Sequence, residues 1–365
     1  MIPAIAGRIP LVKRPKAPAL PLDERITHLT GLTVAPAGAS HHDLVARACG
    51  VLNYAALIAS DAGMPGLATD LCWRQHRIFA DAGCLTGDIA VMSLMPLINV
   101  SRLLTRDGDG HAAYDVLTRL YRAAQKRGTA EVHGTIIDLS ALISTDADHR
   151  RICQELWGAL LVDGARALAR IGRWTEAAEA MTAHRGVGNR LLDGRQIMIM
   201  SLMERGLAEQ ARSMIDSTVP TEPWENAVAA LLRVHCRPED TPAPQAELES
   251  ALQESLTVTA QPDPATAAFQ ARVGLAALAL IHDRTMPHTA HLHRAVADVA
   301  ALDAHAARDV LDHETEDPRL TREQRQKLDT VLTAAGLGAG DLPPAHLQAL
   351  DEAVEKADAQ LRDLL

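Results

Sequence analysis

From His41 onward, apolar residues recur at three- and four-residue steps. Leu44, Val45, Ala48, Val51, Leu52, Ala55 and Ile58 fall on one stripe and predict an amphipathic helix. Gly63 stops that helix, and Pro65 opens a second, which carries Leu67, Leu71, Cys72, Phe79 and Ala80. The same period predicts helices near 88–106, 111–127 and 131–145, then helix pairs near 151–186 and 190–216. Pro96 either kinks the first of these or begins its second half. Further helices are expected near 245–258, 264–282 and 287–305. Thr321, with Glu323 and Gln324 behind it, caps another that Gly336, Gly338 and Gly340 end. Pro343-Pro344 begins a helix that runs to the C-terminus.

Composition agrees with this pattern. Of 365 residues, 64 are Ala and only nine are aromatic, so the best helix former is abundant and the strand-favouring aromatics are scarce. An all-α chain is expected. Val/Ile runs bounded by turns are too few for a parallel sheet. At 47% apolar the chain is no disordered polymer. No continuous apolar run reaches about 18 residues, so no membrane span is expected, and the start MIPAIAGRIPLVKRPK lacks the apolar core of a secretory signal. Five cysteines, odd in number and without a CxxC, predict buried thiols in a reducing, cytoplasmic compartment. A net charge of −10 argues against a nucleic-acid partner.

Punctuation divides the chain. Residues 1–40 hold six prolines and five basic residues against two acids, which predicts an extended or partly ordered basic tail; its charge would suit nucleic acid or a fold-back on the acidic body, and the solvated state is the one expected. Residues 41–236 carry the helical pattern. The Pro-rich 237–246 stretch reads as a linker, and 247–365 as a C-terminal helical region whose last part, 296–365, has 15 acids and 7 bases.

A repeat emerges within the helical region. Ala167–Ala177 (ALARIGRWTEA) matches Ser201–Ala211 (SLMERGLAEQA): Gly172 and Gly206 lie 34 residues apart, Leu168 aligns with Leu202, and Ala177 with Ala211. Glycine permits a tight turn after the first helix of a pair, and a small Ala five residues on lets the second helix approach. Gly108 with Ala113 and Gly63 with Ala68 repeat the relation at irregular intervals of 64 and 45 residues. With its 34-residue period the chain resembles the tetratricopeptide-repeat superfamily, most clearly over 157–217 and more loosely over 42–127. Residues 42–236 also look like the ligand-sensing, repeat-containing half of many actinobacterial regulators. In those proteins it often follows a helix-turn-helix domain, and here the preceding 40 residues are too short and Pro-rich to form one.

The resemblance implies an α-solenoid in which the first helix of each pair lines a concave groove. Carried over in register, its inward polar positions are Asn53, Asn99, Arg102, Arg166, Arg195 and Gln196. A carboxamide supplies donors and an acceptor to an extended backbone, and Arg grips a carboxylate with two hydrogen bonds. The function expected is therefore non-catalytic: capture of a peptide or protein segment in a regulatory or assembly role, with no cofactor. In this reading Arg102→Ala with Arg195→Ala weakens capture and leaves the fold intact.

Other readings compete. Met198, Met200, Met203 and Met214 suggest an apolar pocket for a small-molecule sensor, although such a stripe is more often core. An uncapped end of the stack suggests a homo-oligomer. A helical enzyme would need converging His and carboxylate groups. His282, His288, His291 and His293 form the densest histidine run, His41-His42-Asp43 opens a helix and His313–Asp317 reads as a polar loop. These are pairs rather than the three or four ligands of a metal site, and no HExxH is present. Glu176/Glu179 and Asp351/Glu352 lie on charged helix faces, and the glycines of 336–340 read as a helix cap, not a phosphate cradle.

Overall fold

A computed structural model describes residues 6–85, 87–140, 145–237, 243–280, 288–314 and 319–365. The fold is all-α with one small hairpin, and the chain divides into two units. The first comprises Leu22–Ile171 and Gly336–Leu365; the second comprises Met1–Pro21 and Gly172–Ala335. This grouping differs from boundaries at 40, 236 and 246. Proline content marks where a chain cannot be helical, not which packed body a segment joins.

The first unit contains α1 (Leu22–Leu32), α2 (His41–Asp61), α3 (Pro65–Ala82), α4 (Gly87–Met92), α5 (Met95–Arg106) and α6 (Gly110–Lys126). The strands β1 (Thr129–Val132) and β2 (Thr135–Asp138) follow, then α7 (Asp146–Ala159), a π turn (Leu160–Gly164) and α8 (Ala165–Arg170). The second unit contains α9 (Trp174–Ala183), α10 (Asp193–Glu204), α11 (Ala208–Asp216), α12 (Pro223–His235), α13 (Gln245–Thr259), α14 (Ala267–Leu280), α15 (Thr289–Ala300), α16 (Ala304–Glu314) and α17 (Arg322–Ala335). The chain returns to the first unit as α18 (Pro344–Leu364), which packs on α1, α2 and α3.

Local chemistry explains most of the boundaries. Ser40 and Asp43 form a reciprocal capping box at the start of α2, and Thr321 and Gln324 exchange hydrogen bonds before α17. Pro96 sits in the first turn of α5, so it begins a helix rather than kinking one. The glycine–alanine relation holds at all four places. Gly63, Gly108, Gly172 and Gly206 have φ of 83°, 85°, 76° and 73°, a region closed to most side chains. Ala68, Ala113, Ala177 and Ala211 are fully buried, and each donates its amide to the carbonyl four residues earlier. One turn geometry thus recurs despite unequal spacing.

Three elements depart from the sequence expectation. Residues 131–145 do not form a helix. His133 and Gly134 both take positive φ and close a tight antiparallel turn, and the β-branched Thr135, Ile136 and Ile137 favour the strand after it. The 287–305 helix is two, because Asp303 leaves α15 behind and caps α16, whose last turn takes in His313. The start of the chain is not a solvated tail. Ala6, Ile9, Leu11, Val12 and Ala19 are buried within the second unit, and residues 22–32 are helical.

The first unit's core is built from Leu52, Ile58, Phe79, Leu97, Leu117 and Leu120. At its heart Arg25 pairs with Asp61 at 2.7 Å, both side chains 2% exposed, and Arg106 reaches the other carboxylate oxygen at 2.7 Å. The glycine loop after α17 caps α2: Gly338 N–H donates to the Asp61 carbonyl and Gly340 N–H to that of Ala62. In the second unit Trp224 meets Phe269 edge-on, and α14 approaches α15 so closely that a methyl group on Gly274 would lie 2.2 Å from a Val296 methyl. His41–Asp61 and Gly87–Arg106 are long and apolar enough to cross a membrane by length and composition, where continuous runs predicted none. Half of each window is buried in the fold, and the second window spans both α4 and α5.

Candidate functional site

Of the six polar positions, Asn53, Asn99, Arg102 and Arg166 lie in the first unit and Arg195 and Gln196 in the second. In the first unit, Asn53 on α2 accepts from the Asn99 amide on α5 at 2.9 Å. The Asn99 oxygen accepts from Arg102 at 3.1 Å, and Arg102 also donates to Asp163 on the π turn at 3.0 Å. Three of the sequence-chosen residues thus meet in one chain of hydrogen bonds, and Asp163 completes it. Arg166 lies half-buried on α8. The network is satisfied within the chain: Arg102, though 46% exposed, spends one arm of its guanidinium on Asn99 and the other on Asp163.

The second unit's cluster is different. Gln196 on α10 is fully buried. Its Oε1 accepts the Leu11 N–H and its Nε2 donates to the Leu11 carbonyl, both at 2.8 Å; Nε2 also donates to the Leu191 carbonyl at 2.6 Å. The carboxamide therefore reads both polar groups of one residue in a non-helical segment. One turn earlier on α10, the buried carboxylate of Asp193 receives a two-pronged contact from Arg14.

The segment continues along the unit. Lys16 N–H donates to the Ala265 carbonyl, just before α14, at 2.9 Å. Ala19 N–H donates to Asp303 Oδ2 at 2.9 Å, and its carbonyl accepts the Ala304 N–H at 3.1 Å. Asp303, itself fully buried, uses Oδ1 to cap α16 through Ala306 N–H. A bare helix N-terminus offers only donors and positive potential, which suits neither backbone N–H groups nor a basic segment. Asp193 and Asp303 convert two such ends into acceptor sites. Residues 9–20 thus form a strap held at the starts of α10, α14 and α16. Between its points of attachment Lys13, Pro15 and Lys16 are exposed.

Arg195 points away from the strap. Its guanidinium binds the carbonyls of Met214 and Gly188 and the hydroxyls of Ser217 and Thr218, tying the end of α11 to the loop before α10. It is 6% exposed, and burial pulls its pKa down. Arg195→Ala would cut the hydrogen bonds that tie the end of α11 to the loop before α10, so a loss of capture in the double substitution would have to be separated from a loss of stability at this residue.

Sequence reasoning missed Asp163, Asp193, Asp303 and the strap. Two carried a signal: Asp193 precedes Gln196 by three residues on one helix face, and Asp303 stands just before an Ala-rich helix start. For the strap, a basic segment against an acidic body allowed a fold-back, but proline-rich composition describes backbone shape and not where the backbone lies.

The other candidates scatter. Met200 is buried and Met198, Met203 and Met214 are half-buried. His282 lies outside the described residues, and among those described no group of three or more His, Cys, Asp or Glu could hold a metal. Cys49, Cys72 and Cys236 are buried, with burial pushing each thiol up to about 12. Cys84, just after α3, is exposed and Cys153 on α7 is half-buried, contrary to the expectation of buried thiols. Comparison with protein-family models, curated proteins and solved structures finds no match to the chain.

Proposed function

We propose that this protein is a non-catalytic binding protein of tetratricopeptide-like helical pairs, and that its second unit holds an extended protein segment in a regulatory or assembly role. The observation that carries the reading is the Gln196 carboxamide with both of its faces on the Leu11 backbone. A buried carboxamide that pairs with one residue's N–H and C=O reads main chain, not a particular side chain. That is how a site accepts extended segments as a class. The flanking Asp193 adds a preference for a cation three residues further along.

The test uses the full chain with Leu11→Asp and Arg14→Glu, which weaken the strap and leave the site residues untouched. A fluorescent peptide of residues 6–21 is titrated in and followed by anisotropy. Saturable binding is expected, and adding Gln196→Ala should weaken it at least tenfold. A folded double variant that takes up no peptide would overturn the reading.

A further inference from the structure

At the second unit's candidate site the strap meets Gln196, Asp193 and Asp303 in turn. Gln196, Asp193 and Asp303 are 0%, 3% and 0% exposed, and each is engaged by residues 11–19 of the same chain. From Leu11 to Ala19 an extended chain spans about 25 Å, so the strap crosses the starts of three helices in a single pass.

Its hold is graded along its length. Ile9, Leu11, Val12 and Ala19 are buried, whereas Lys13, Pro15, Lys16 and Ala17 are exposed and Arg14 is 38% exposed at its side chain. The middle carries the Lys16 backbone hydrogen bond to Ala265 and the ion pair of the half-exposed Arg14 with Asp193. A segment attached firmly at two ends and loosely between can be peeled from its centre without first breaking the buried contacts. The prolines at 15 and 18 lower the entropy lost when the strap rebinds, because they hold it extended when free.

We infer that residues 6–20 are a resident ligand that regulates this site: a partner enters by displacing the strap, and the segment it brings has the strap's chemistry. That chemistry is an extended, proline-containing stretch. It has one residue whose N–H and C=O both face Gln196, an apolar side chain there and next to it, an arginine three residues on, and a small residue with a free N–H eight residues on, facing Asp303. This inference rests on the segment-capture reading of the same site. A tethered strap acts at an effective concentration in the millimolar range, so a free partner of equal intrinsic affinity binds the wild-type chain weakly.

The experiment compares the wild-type full chain, Arg14→Glu alone, and Leu11→Asp with Arg14→Glu, each titrated with the labelled peptide of residues 6–21. Thermal melts establish that each is folded. The expected result is apparent affinity rising at least tenfold from the wild type to the double variant, with Arg14→Glu between them. Arg14→Glu alters a half-exposed side chain, so it remains informative if the double variant does not fold. Equal affinity for the wild type and either folded variant overturns strap regulation and leaves segment capture standing. Absence of binding by all folded variants overturns both.

Discussion

The two units answer one question differently: what a buried aspartate at a helix end does. In the first unit, Asp61 at the end of α2 binds Arg25, whose side chain is 2% exposed, and Arg106, which is 40% exposed. In the second unit, Asp193 at the start of α10 is equally buried but pairs with Arg14, which is 38% exposed and belongs to the strap. The first arrangement is sealed, since neither Asp61 nor Arg25 reaches water. The second is open on one side, since a released Arg14 regains its hydration at once. The difference separates a pair that locks a fold from one that holds a removable segment, and bond lengths alone would not have revealed it.

Breaking the two pairs in parallel tests that distinction. Asp61→Ala strands a fully buried guanidinium and should cost about 3–5 kcal/mol in denaturant unfolding of the first unit. Asp193→Ala frees a guanidinium into solvent and should cost about 1–2 kcal/mol, with faster amide exchange at residues 11–19 as its signature. Similar losses for the two would show that the strap is as integral as the core pair.

Acid sharpens the contrast from another side. His235 ends α12 in the second unit, and burial pulls its pKa from 6.5 to about 4. The unfolded chain therefore binds a proton that the folded chain refuses between those values. The contribution is fully present above about pH 6.5 and is lost as pH falls toward 4, by on the order of 3 kcal/mol. In the first unit burial lowers His76 in the same sense. Unfolding should be followed by probes in each unit, because one transition cannot be assumed for both. His235→Gln should remove most of the acid sensitivity of the second unit between pH 6.5 and 4.5. An unchanged pH profile would mean that the imidazole opens to water before the unit unfolds.

Much of this was legible in the residues, for physical reasons that differ by feature. Helical periodicity is local, so α2, α3, α5, α6 and α10 lie close to where the apolar stripes put them. Gly63, Gly108, Gly172 and Gly206 were legible because positive φ selects glycine, and the buried alanines because close approach selects small side chains. The hairpin was hidden by its length, since two four-residue strands hold too few periods to compete with a helix pattern. Asn53, Asn99 and Arg102 lie together because helix register carries information across a pair, whereas the Leu11 that Gln196 meets lies 185 residues away in a segment with no periodicity. The mistake over Arg195 is instructive: being on an inner helix does not fix which way a side chain one residue from Gln196 points, and one step along a helix turns about 100°.

The smallest effect tests whether the first unit's polar chain is a lock or an ornament of the surface. Asn99 joins Asn53 to Arg102, and Arg102 holds Asp163 on the π turn. Remove the Asn99 carboxamide and Arg102 keeps its ion pair with Asp163, while the half-buried Asn53 turns to water. Each surviving group has a partner, so Asn99→Ala should cost under about 1 kcal/mol in thermal unfolding. π turns interrupt the ordinary helical ladder and persist where something holds them. If Asn99→Ala instead costs 2 kcal/mol or more, and Arg102→Ala the same, the network is what holds Leu160–Gly164 in that geometry. The first unit would then carry a part-exposed polar feature on which its backbone geometry depends, and the contrast between a sealed unit and an open one would have to be redrawn.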